Sequence, residues 1–210
     1  MRHVQPGVAA AIVAMGLMTA SAGARAAPPG PRDPDWPCQQ IKVPQLSAAA
    51  LWSGPPLDQV QAHWRDDPEV TALVARLAQR RVSLDQATSE VKAFATAAGE
   101  RRQDRLLALF AGLFATLDEE RAAVVNGLDR YGNRQKTLAE KVRGEADALH
   151  VEQAAATPDE QRLATLGNEI GWDTRVFEDR RTSIQYACDV PNIIEQRLFA
   201  LSRTIQAALE

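Results

Sequence analysis

Cys38 and Cys188 are the two cysteines of the chain, and thiol chemistry is the first chemistry its residue types offer. No Cys-x-x-Cys is present, so neither thiol–disulfide exchange nor c-type haem attachment has its motif. An isolated pair in an oxidising compartment is expected to form one disulfide. Closing so long a loop contributes roughly 5 kcal/mol in the chain-entropy view. Asp147-Ala148-Leu149-His150 sets a carboxylate and an imidazole one helical turn apart, as di-metal bundles do. Those bundles need a second such unit and further carboxylates, and the sequence has no second unit. His150 is therefore expected in solvent near a helix end, and His63, beside Trp64, in a packing role. Asp118-Glu119-Glu120 and Glu178-Asp179 run directly into Arg121 and into Arg180-Arg181, the pattern of a solvated, salt-bridged helix face. Glu169 and Asp173 have no motif around them that would make them a glycosidase pair. Nucleophile-elbow, phosphate-loop and zinc-protease signatures are absent. No catalytic, cofactor-binding or metal-ligating residue is assigned, and the expectation is a protein that is not an enzyme.

The tryptophans offer recognition rather than catalysis. Trp36, Trp52 and Trp64 fall in or just after a proline-rich stretch, and Trp172 follows Gly171. Their expected work is anchoring, since each ring buries a large apolar area. The alternative is that the four line a pocket or mark a partner surface.

Long helices must position these residues. Leu107, Phe110, Phe114, Leu117, Arg121, Val124, Leu128, Tyr131, Gln135, Leu138, Val142, Glu145 and Leu149 recur at alternating spacings of three and four. That is a coiled-coil-like seam, and its phase survives Asn126-Gly127 and Gly132, which predicts at most a kink there. Arg121, Gln135 and Glu145 are its polar members, set either to fix register or to meet a partner. Before the seam, Asp67-Pro68-Glu69 and Ser83-Leu84-Asp85-Gln86 are helix starts. After it, a polar link from His150 to Ala156 leads to a further start, with Thr157 as cap and Pro158 in the first turn. A last helix is expected to begin at Pro191. Two long helices joined by a short link lie antiparallel, each covering the other's apolar stripe. The expected fold is all-α: an elongated antiparallel helical hairpin or bundle with a proline-rich N-terminal arm.

Residues 1–26 carry a basic start, an apolar run from Val8 and a small-residue site ending Ala24-Arg25-Ala26, the pattern of a cleavable secretory signal. The apolar run is shorter than the ~20 residues a membrane span needs, and no later run is long enough. The expected divisions are a signal peptide at 1–26, a proline-rich arm at 27–57 packed on the body, and a helical bundle at 58–210. The formal net charge is −3, and loss of Arg2 and Arg25 makes it more negative. That balance is opposite to the basic footprint of a nucleic-acid binder.

These observations lead to an exported protein, periplasmic or secreted after cleavage near Ala26, without stable membrane insertion. It is expected to act by protein–protein contact as a scaffold, adaptor or chaperone-like factor. The alternative is a ligand-binding or accessory subunit of a periplasmic enzyme system, its pocket at the arm tryptophans. The partner is expected to be another protein, with homodimerisation as a further expectation because seams pair.

Overall fold

The computed structural model describes Asp33 and residues 35–210. The expected signal peptide and the start of the arm lie outside the described residues. Everything below belongs to the unit formed by residues 32–210.

The described residues form helices and contain no strand. After one helical turn, α1 (Ala48–Leu51), comes a short 3-10 turn at Trp64–Asp66. Helix α2 (Pro68–Leu77) starts as its sequence dictates: Asp67 caps it, accepting from the amides of Glu69 and Val70, with proline in the first turn. Helix α3 (Leu84–Ala97) is capped by Ser83, whose hydroxyl accepts from the Gln86 amide at 3.2 Å. Gly99 follows with φ +56°, a conformation that favours glycine.

Helix α4 (Arg102–Gln153) runs 52 residues without interruption, about 78 Å at 1.5 Å per residue. Helix α5 (Glu160–Leu209) runs 50 residues. Their cross-links rise along α4 as they fall along α5: Arg121 to Glu195, Tyr131 to Arg180, Gln135 to Phe177, Glu152 to Arg162. The two long helices thus pack along each other in opposite directions.

The structure corrects two expected helix starts. Pro191 does not begin a helix but lies buried inside α5. An interior proline removes the amide that would bond the carbonyl four residues back, at a cost of about 3 kcal/mol. Here the helix continues because Ile194, Leu198, Leu201 and Ile205 beyond it are all buried in the main core, and burying each such side chain is worth about 1.5–3 kcal/mol. Thr157 is likewise not the cap of α5. Asp159 is, accepting from the amides of Gln161 and Arg162. Asp is a better cap than Thr, and its own amide is taken by the Glu152 carboxylate at 2.9 Å, which ties the end of α4 to the start of α5.

The main core lies where α2, α3, the first half of α4 and the last third of α5 meet. Phe110, Leu77, Leu106, Leu109, Leu113 and Leu117 are among its fully buried side chains. Gly112 lets this packing close: a β-carbon there would come within 2.7 Å of the Trp64 ring and of Val74. A smaller cluster follows, with Leu128, Ile184 and Cys188 at its centre and Trp36 and Cys38 against it. Beyond Gly132 on α4, and before Ile184 on α5, neither helix buries a residue.

Candidate interaction surface

The Cys38 and Cys188 sulfurs lie at disulfide distance, 2.01 Å, with Cα atoms 5.6 Å apart. Around the bridge, residues 33–46 make a dense set of polar contacts with both long helices. Trp36 Nε1 donates to the Gln40 carbonyl at 2.7 Å, and the Gln40 amide donates to the carbonyl of Cys188, three residues before Pro191. Lys42 reaches Asp33 and Asp129 at 2.8 Å each. Those two hydrogen bonds, the one to Asp129 first, push the Lys42 ammonium above its ordinary pKa. Arg121, buried in the α4 seam, sends one nitrogen to Glu195 at 2.6 Å and another to the Val43 carbonyl at 2.7 Å. A polar seam residue here holds an extended segment against two helices at once.

The four tryptophans are not brought to one place. Trp52 is buried and stacks on Phe110, with ring centroids 4.2 Å apart, and its Nε1 donates to the Pro55 carbonyl. Trp64 is buried in the same core, with Arg65 over its ring. Trp36 is half-buried against the smaller cluster. Trp172 stands apart on α5, 63% exposed. Gly171 beside it has nothing within 4 Å of its missing β-carbon, so no described element packs closely there.

His63 and His150 are exposed, and His63 pairs with Asp66 at 3.1 Å. Glu178 pairs with Arg181 one turn on. Among the described residues no group of three or more His, Cys, Asp or Glu side chains is arranged to hold a metal ion. No helix among them is long and apolar enough to cross a membrane.

Two arrangements of residues escaped the sequence reading. One is a pair of buried arginines. Arg105 binds Asp67 at 2.8 Å and Glu69, fixing the start of α2 against α4. Arg197 donates to the Leu77 and Val82 carbonyls at 2.8 Å each, closing the C-terminal end of α2; burial lowers its pKa. Their only signal in the sequence is an arginine inside an apolar stripe. The other group lies on the outer half of the α4–α5 pair. Lys141 bridges Glu145 at 3.0 Å and Asp173, and these bonds, Asp173 first, raise its pKa. Trp172, Asn168, Glu169 and Arg175 complete a shallow hollow around them. Here the seam is only half covered: Leu138, Val142, Leu149, Leu163, Leu166 and Ile170 all keep partial exposure.

The class these features define is an all-helical protein whose two longest helices extend past its core, with an extended N-terminal segment bridged to the second of them. Compared with family models, with curated proteins and with solved structures, the chain matches none of them.

Proposed function

We propose that this is an exported helical protein that acts by protein–protein contact, as a scaffold, adaptor or chaperone-like factor in the periplasm or outside the cell. Its binding surface is the outer half of an elongated antiparallel hairpin, residues 133–183, and it has no catalysis of its own. The arm, residues 27–57, is the element that the Cys38–Cys188 bridge fastens to the helical body, residues 58–210. One observation carries this reading: α4 keeps its three-and-four apolar spacing through Leu149, yet neither long helix buries a single residue in this half. In this half the two helices leave each other's apolar stripe only half covered, and a third surface would complete the seam. The alternative of a small-ligand pocket at the arm tryptophans has less behind it. Trp52 is stacked on Phe110 and Trp64 fills the space over Gly112.

The test is photo-cross-linking in the native compartment, with a benzophenone side chain placed at Val142 or Ile170. A discrete adduct at these sites, absent when the probe sits at exposed Asp85 on α3, is the expected result. Reproducible turnover of a substrate, abolished by a single surface substitution, would overturn it.

A further inference from the structure

On the face of α5 turned away from α4, a second row recurs at three-and-four spacing: Trp172, Arg175, Asp179, Thr182, Tyr186, Asp189 and Ile193. Every one of these side chains is exposed. Trp172 is 63% exposed, Tyr186 77% and Ile193 46%. The row covers six turns of one helix face, about 32 Å. Three large apolar side chains, Trp172, Tyr186 and Ile193, are thus held in water on one helix face, and Trp, Tyr and Arg are the types that dominate interface energetics. The charges of the row are also unspent. The ion pairs of α5 use Arg162, Asp173, Glu178, Arg181 and Glu195, and none involves Arg175, Asp179 or Asp189 among the described residues.

Reversed about Thr182, the row complements itself. We propose that this face binds the same face of a second copy, antiparallel and centred on Thr182. Trp172 then meets Ile193 of the second copy, and Arg175 meets its Asp189. Asp179 meets its Tyr186, whose hydroxyl donates to the carboxylate, and Thr182 meets Thr182. Each pair falls in register to within one residue, about 1.5 Å along the axis. Two-fold symmetry makes each of the other contacts twice, with Thr182 on the axis, as an isologous interface requires. A parallel arrangement would set Arg175 on Arg175 and Asp189 on Asp189, and like charges in contact oppose association. The open space beside Gly171 leaves room at Trp172 for the incoming isoleucine. Arg175 already lies 5.8 Å over the Trp172 ring, which holds both at the end of the row. Trp172 and Arg175 also border the hollow beside Lys141, but the row uses none of the seam's apolar residues such as Val142 and Ile170, so the inference does not rest on another protein filling the seam.

Charge exchange tests it, read by sedimentation of the mature, oxidised chain through the micromolar range. The parent is expected to sediment as a dimer at the upper end. Arg175→Asp and Asp189→Arg, each alone, should raise the dissociation constant about tenfold or more, because each places two like-charged contacts in the interface. Arg175→Asp combined with Asp189→Arg should restore dimerisation, since the pairs re-form with their ends exchanged. All these positions are exposed, and unchanged circular dichroism and melting would show that the fold is intact. A parent that is monomeric throughout, a dimer indifferent to either single reversal, or a combined variant that stays dispersed would each overturn the proposal.

Discussion

The backbone carbonyl oxygen of Asp35 lies 1.9 Å from where a β-carbon on Gly132 would stand. The extended segment therefore touches α4 backbone to backbone, and only the absence of a side chain permits it. Lys136, one turn further along α4, reaches the Asp35 carboxylate at 3.4 Å and fixes the same contact from the side.

This contact reverses the usual sign of a helix-stabilising substitution. In an open helix interior, glycine to alanine gains about 1 kcal/mol. Gly144→Ala and Gly167→Ala, with nothing within 4 Å of the new carbon, should show that gain in denaturant unfolding. Gly132→Ala should instead lose about 1–3 kcal/mol, the usual cost of forcing atoms into a filled space. A stabilised Gly132→Ala would mean that the segment does not dock as described.

Arg197 ties α5 to the C-terminal end of α2 with one side chain. Arg197→Met keeps much of the volume but strands the Leu77 and Val82 carbonyls, each left without the partner it has here. The expected loss is roughly 2–4 kcal/mol. Arg197→Lys can reach only one of the two carbonyls at a time and should fall between. Equal stability of all three proteins would refute the bracing role.

Breaking the bridge should loosen the N-terminal segment before it unfolds the core. Cys38→Ser combined with Cys188→Ser is expected to cost roughly 2–5 kcal/mol, and limited proteolysis should cut first near residues 39–46. Free thiols in the parent, purified from an oxidising compartment and measured by mass under non-reducing conditions, would contradict the bridge itself.

Acid should weaken the start of α2. Burial alone would raise the Asp67 pKa; the hydrogen bond from Arg105 and the amides of Val70 and Glu69 outweigh it and hold the carboxyl below the usual carboxylate range. A folded value below the unfolded one means the stabilisation is fully present above the unfolded value and is lost as pH falls through the folded one. Asp67→Asn keeps an effective cap but loses the ion pair, so it should flatten the acid limb of the stability profile. Asp67→Ala should lose about 1 kcal/mol more, for the cap. An acid limb of undiminished slope in Asp67→Asn would assign that limb to other groups.

Local rules carried the reading where local forces decide. Asp67, Pro68 and Ser83 act where their types say they should, and the seam through Asn126-Gly127 and Gly132 does continue as one helix. The failures are tertiary. Pro191 resembles a start because proline suits a first turn, yet buried residues on both sides carry α5 across it. Thr157 lost the cap to Asp159 because the Glu152 carboxylate, from the preceding helix, selects that amide. Trp172 matches the other tryptophans in type, but the side of α5 on which it falls depends on where α4 packs. The roles of Arg105, Arg121 and Arg197 rest on partners 36 to 120 residues away, which no short spacing reveals.

The bridge between Cys38 and Cys188, with a sequence separation of 150, also makes most of this chain a covalent ring. A single backbone cut anywhere between those residues, including the exposed turn at 154–159, opens the ring without dividing the molecule. The fragments stay joined, each long helix still lying against the other, until a reductant separates them. In the exported setting proposed above, this exposed turn is then one where cleavage need not end the protein's working life.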